Sequence, residues 1–170
     1  WRNATVDALN LMIRQQIFPQ AAHNSFWLPG DRMILTSPAK NLDGDTIATT
    51  DEEGTVETAL VEHHPNYPEY AVWKLSVVCD FAGPQTFYAL HASSAIAHTR
   101  EKERLATHAR LDGRQWKKFW EFKEAFHPIR HAYAITAHRA QGSTYEKAYV
   151  NWRDIMLNQN RSEAYRCLYV

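Results

Sequence analysis

The sequence predicts an α/β protein into which a small antiparallel β-barrel and a helical segment are inserted. Three observations carry this expectation. An amphipathic period runs through the first residues. Five short β-like runs, punctuated by turn residues, follow between residues 26 and 93. After residue 128 the chain returns to apolar runs alternating with helical ones, the pattern of a parallel α/β layer. The predicted division is 1–25 with 128–170 for the α/β part, about 26–93 for the barrel and about 94–127 for the helical segment.

In chain order, residues 5–18 (TVDALNLMIRQQIF) place Val6, Leu9, Ile13 and Ile17 on one helical face. Thr5 or Asn3 is the expected cap and Pro19 the stop. The runs RMILT, TIATT, TVETALVE, YAVWKLSVV and TFYALHA are separated by Pro29-Gly30-Asp31, Asp43-Gly44-Asp45, Glu53-Gly54 and Gly83-Pro84. Apolar and β-branched residues between such turn signals read as strands. Residues 94–111 are Ala-rich and charged, a helix with a solvated face, and Asp112-Gly113 breaks it. In DGRQWKKFWEFKEAF, Trp116, Phe119 and Trp120 share a helix face. Such a stripe either packs as core or stacks on bases, and core is the expectation. Residues 132–135 and EKAYVNW then read as strands, RSEAYRCL as a helix and LYV as the start of a further strand.

The most informative stretch is AYAITAHRAQGSTYEK, residues 132–147. If Ala132 to Ile135 is a buried parallel strand, Thr136 lies at its carboxyl end, where open α/β sheets gather ligands. A hydroxyl beside the backbone N–H groups of a starting helix suits a phosphate. Gln141 offers an amide that donates and accepts, and Gly142 permits close approach or a left-handed turn. Spacing alone also allows Thr136 simply to cap the helix and Gly142 to end it.

Tyr133, Ala134, Thr136, His138, Arg139, Gln141, Gly142 and Ser143, in that order, resemble motif V of superfamily 1 helicases. The match is closest to the RecD-like and Dda-like branch that moves 5′ to 3′. WRNATVDALNLMIR is similar to the start of the second motor domain of that branch. PGDRMILTSPAKN through DGDTIATTDEEGTV is similar to the SH3-like barrel inserted there. The resemblance implies a partial RecA-like, P-loop NTPase-type parallel sheet carrying that barrel, in a motor that spends ATP with Mg²⁺ to move along single-stranded DNA and unwind duplex. It implies DNA-binding roles for Thr136, on a backbone phosphate, and for His138, Arg139 and Ser143. It implies nucleotide-facing roles for Gln141 and Gly142, and for Arg2 near motif IV, with Asn3 more structural. The partners it implies are single-stranded DNA and an N-terminal RecA-like domain of the same chain.

The departures matter as much. Arg139 stands where Lys is usual, a mild change for a phosphate contact. Thr144 stands where many relatives carry Glu, so a ribose contact does not carry over. The six glycines, at 30, 44, 54, 83, 113 and 142, form no GxxxxGK[ST] loop. No Asp-Glu pair closes an apolar strand to hold Mg²⁺, and the run YRCLYV stops before the arginine that motif VI would supply. Without these groups the charge of a transferring γ-phosphate is unopposed. The expectation is a chain with no catalytic residue of its own and no bound cofactor, part of a longer protein: it begins on Trp1 rather than Met and stops within an apolar run.

Composition narrows the rest. Nineteen basic residues balance nineteen acidic ones, which excludes coating of nucleic acid by bulk charge but not a local basic groove. Cys79 and Cys167 match neither a disulfide framework nor a zinc spacing and read as buried thiols. The nine histidines show no HExxH pattern, and no GxSxG elbow occurs. Without an 18-residue apolar run or a signal peptide, no membrane contact is expected, and a cytoplasmic protein of bacterial or phage origin is. Two further readings stay open: a stand-alone module that binds single strands without a motor, and a motor whose track is RNA, since phosphate contacts carry no base information.

Overall fold

A computed structural model describes residues 2–140 and 144–168. The chain divides into two compact units, residues 1–24 with 131–170 and residues 25–130.

The second unit is built on strand pairing. In chain order its strands are β1 (Arg32–Leu35), β2 (Ala39–Lys40), β3 (Thr46–Ala48), β4 (Glu53–His64), β5 (Tyr67–Cys79), β6 (Gly83–Leu90) and β7 (Ile129–His131). β6, β5, β4, β1 and β7 form one sheet in that order, and β2 pairs with β3 in a separate hairpin. The β1–β4, β4–β5 and β5–β6 ladders are antiparallel. β2 and β7 carry no β-branched run bracketed by turns that would announce them. The sequence places the other five strands, because β-branched runs between glycine turns leave little alternative. Gly83 takes φ 70° in the β5–β6 turn, a conformation that favours glycine. The buried Glu52 carboxylate accepts the backbone N–H groups of Phe81 and Ala82, at 2.8 and 3.0 Å, and fixes that turn.

Side-chain alternation gives the sheet two buried faces. Leu75, Val77 and Cys79 on β5, with Phe87 and Ala89 on β6, join Trp27, Met33, Leu35 and the β2–β3 residues Ala39 and Ala48 in one core. Tyr70 and Val72 point the other way, with Tyr88 and Leu90, into a second core. That second core is completed by two helices, α2 (Ala95–Leu111) and α3 (Trp116–Glu124), through Leu105, Phe122 and Phe126. Here an expectation fails. Trp116 and Trp120 are not core: they are 37% and 45% exposed. Phe122 occupies the inward face of α3 instead, 2% exposed, with Phe126 just beyond it.

Two buried histidines stitch this unit together. His64 Nδ1 accepts the Asn66 N–H at 3.1 Å, so its Nε2–H donates to the Ala125 carbonyl at 3.0 Å. His127 Nδ1 accepts the Tyr88 N–H at 2.9 Å and its Nε2–H donates to the Lys40 carbonyl at 2.9 Å. Each ring therefore works as a neutral donor–acceptor bridge.

The first unit consists, among the described residues, of helices and irregular segments. They are α1 (Asn3–Ile17), α4 (Ala137–Ala140), α5 (Trp152–Met156) and α6 (Arg161–Leu168). α1 starts earlier than predicted. Its N-cap is Arg2, with no side-chain cap, so neither Asn3 nor Thr5 caps it. Val6, Leu9 and Ile13 are half-buried as the period requires, but Ile17 is 51% exposed, and the two most buried positions of the helix are polar, Asn10 and Arg14. Residues 132–135 and 145–151 adopt no strand, and the expected parallel pairing is absent from the described residues. A parallel strand needs ladder partners, and here side chains supply hydrogen bonds instead. α6 matches its predicted span. It is opened by Asn160, whose Oδ1 accepts the Glu163 N–H at 3.3 Å.

Candidate functional site

The motif-bearing segment is held from two sides. On one side, Asn10 of α1 hydrogen-bonds both backbone groups of Ala134, two residues before Thr136. On the other, Ala137 packs on Ile155, Ala164 and Cys167, an apolar knot joining α4 to α5 and α6. Between these anchors the chain turns. The Thr136 carbonyl accepts the N–H groups of Arg139 and Ala140, at 2.9 and 3.1 Å, and starts α4.

Thr136 is 9% exposed, so the residue expected to meet a phosphate is largely covered. His138 is open: its side chain is 48% exposed, and its Nε2 lies 3.6 Å from Glu163 Oε1 on α6. Arg139 is half-buried. Among the described residues, the polar side chains at the surface of this turn are therefore His138 and, in part, Arg139. Gln141, Gly142 and Ser143 lie outside the described residues.

Arg2 sits in the same unit, on a carboxylate that the sequence reading missed. Asp154, at the start of α5 and buried, accepts the Arg2 backbone N–H at 3.1 Å, Arg2 Nε at 2.9 Å and the Thr5 hydroxyl at 2.8 Å. Arg2 Nη2 lies 2.8 Å from Asp154 Oδ1. Burial pushes the Asp154 carboxyl up, but the Arg2 backbone N–H, the Thr5 hydroxyl and the Arg2 guanidinium outweigh it and hold the group well below the usual carboxylate range. Asn151 caps α5 through the Asp154 N–H, at 3.3 Å. The next residue, Ile155, belongs to the knot that seats Ala137, so Arg2 and α4 are linked through adjacent residues of α5. Asp154 carried one faint signal, an isolated acid directly before the apolar pair Ile155 and Met156.

This arrangement does not fit a resident Mg²⁺. No group of three or more His, Cys, Asp or Glu side chains converges among the described residues. Asp154, the most deeply buried acid of the unit, is already satisfied by Arg2 and Thr5. What the turn can do chemically is offer an imidazole and a guanidinium to an anion, on a short helix whose start is anchored through Ala134 and Ala137. No described helix is long and apolar enough to cross a membrane.

No protein-family model matches the chain. A stretch of 46 residues is 44% identical to an uncharacterized protein of Acanthamoeba polyphaga mimivirus; the match covers 27% of this chain and 9% of that protein's length.

Proposed function

We propose that this chain is the second motor domain, with its inserted barrel, of an ATP-dependent DNA helicase that moves on single strands. What supports the reading is the ordered set Tyr133, Ala134, Thr136, His138, Arg139, Gln141, Gly142 and Ser143, together with one structural observation. The two stretches that resemble the motor, around Arg2 and around Thr136, belong to one compact unit although the residues of another separate them in sequence.

The role of the segment on this reading is to touch the strand rather than to cleave ATP. His138 and Arg139 meet backbone phosphates, and Thr136 stabilises the turn that presents them. Arg2, held by Asp154, serves the nucleotide side, the role that the motif also gives to Gln141 and Gly142. ATP and Mg²⁺ belong to a P-loop domain, because none of the chain's six glycines forms that loop. The partial RecA-like sheet, of which the described residues of the first unit hold no parallel strand, and the cytoplasmic location are parts of the same proposal.

The test is direct. The chain is titrated against labelled oligo-dT by fluorescence anisotropy across a salt series, with phosphate release measured in parallel. Salt-sensitive binding, several-fold weaker in His138→Ala and Arg139→Ala, is expected, with ATP turnover at background. Binding indifferent to both substitutions, or DNA-stimulated phosphate release by the chain alone, sinks the reading.

A further inference from the structure

We infer that the outer face of α3 is a second site for single-stranded nucleic acid, on residues unrelated to the motif turn. Trp116, Phe119 and Trp120 form a continuous run of rings. Trp116 and Phe119 meet edge to face with centroids 5.2 Å apart, and Phe119 meets Trp120 the same way at 5.2 Å. The core of this unit is filled without the two tryptophans, by Phe122, Phe126, Tyr70 and Val72. Their exposure is therefore not the overflow of a crowded interior. Two large aromatics held open side by side on a rigid helix mark a recognition surface.

Charge selects the occupant. The whole chain balances at a formal charge of zero. Between residues 110 and 124, however, the sequence sets Arg110, Arg114, Lys117, Lys118 and Lys123 against Asp112, Glu121 and Glu124, and of these acids Asp112 pairs with Arg114 at 3.4 Å and Glu124 with Lys40 at 2.8 Å. Lys123 Nζ stands 4.5 Å from the Trp120 ring centroid. Among the described residues, neither Lys118 nor Lys123 pairs with a carboxylate. Lys117 reaches Glu121 only at 3.8 Å, between well-exposed side chains. An aromatic ladder with Lys123 beside it, on a helix that also carries Lys117 and Lys118, suits an unpaired strand, whose bases stack while its phosphates meet the lysines. A duplex hides its base faces, and a purely apolar partner would leave the cations unanswered.

The experiment separates this site from the motif turn. Oligo-dT and oligo-U are titrated against the full chain by tryptophan fluorescence and by anisotropy. The comparison set is Trp116→Ala/Trp120→Ala, Lys117→Ala/Lys118→Ala/Lys123→Ala and His138→Ala/Arg139→Ala, with circular dichroism to confirm folding. Both tryptophans are exposed, so their removal leaves the core intact. The expected result is quenching that vanishes with the tryptophan pair, affinity lowered about tenfold or more, and a shallower salt slope in the lysine variant. Quenching persists in the His138/Arg139 variant, so failure of the motor reading leaves this site standing, and the reverse. If the tryptophan variant binds both oligonucleotides as the unaltered chain does, the proposal is overturned and the face belongs to a protein surface.

Discussion

The side-chain amide of Asn10 takes the place of a neighbouring strand for Ala134. Its Nδ2 donates to the Ala134 carbonyl at 2.9 Å, and its Oδ1 accepts the Ala134 N–H at 2.8 Å. One side chain thus completes both backbone groups of a residue 124 positions away. Removing it leaves a donor and an acceptor partly buried without partners, a penalty of about 1–3 kcal/mol. Asn10→Ala should lower the stability of the first unit by that amount in denaturant melts, and should speed amide exchange at Ala134. Asn10→Asp should also destabilise, because a carboxylate opposes the carbonyl instead of donating to it. Exchange at Ala134 that stays slow in Asn10→Ala would show that the loop is held by something else.

His98 is the weak point of the aromatic core. Its ring stacks on Phe122, centroids 5.0 Å apart, and meets Phe126 edge-on at 4.7 Å. Its buried Nε2 has no hydrogen-bond partner. Burial, reinforced by Lys102, keeps its imidazole below the ordinary 6.5. Burial also lowers His64 and His127, the backbone-bridging pair, against the pull of their carbonyl partners. A group whose folded value is depressed supports folding in full above its unfolded value and withdraws that support as pH falls below it. Denaturation midpoints should therefore hold steady above about pH 7 and drop from 6.5 downward. His98→Phe should be neutral or stabilising by about 1 kcal/mol at neutral pH and should flatten part of that drop. An acid limb left unchanged by the substitution would remove His98 from the account.

Gly54 lies where β4 meets both neighbours, opposite Met33 on one side and Cys79 on the other. A Cβ there would approach Val77 Cγ1 to 2.7 Å and the Val78 carbonyl oxygen to 2.8 Å. The second obstacle is backbone, which no rotamer change relieves. Gly54→Ala should cost about 1–3 kcal/mol, read as a lower denaturation midpoint. A variant as stable as the parent would mean that the β4–β5 ladder has slack.

The sequence reveals this molecule unevenly, and the reasons are physical. The strands of the second unit are legible because glycine and proline turns bracket β-branched runs, and a period of two needs only local information. β2 and β7 lack such a bracketed run, whereas β3, no longer than β7, is marked by the Asp43-Gly44-Asp45 turn and the β-branched TIATT. The aromatic stripe was ambiguous because α3 is aromatic on both sides, and sequence cannot say whether Phe122 or Trp120 turns inward. In the first unit, Ala132 to Ile135 is apolar enough for a buried strand, yet strand formation depends on partners distant in sequence. The links that organise the candidate site, Asn10 to Ala134 and Arg2 to Asp154, join residues more than a hundred positions apart. No local pattern encodes such pairs.

In the second unit the first strand of the sheet is hydrogen-bonded alongside the last, and the Thr36 N–H donates to the Pro128 carbonyl at 2.9 Å. The polypeptide thus enters and leaves this body along the same edge. A segment with that connectivity behaves as a removable cassette: it can be enlarged, traded for another or spliced out with a short bridge, and the host chain on either side need not be rethreaded.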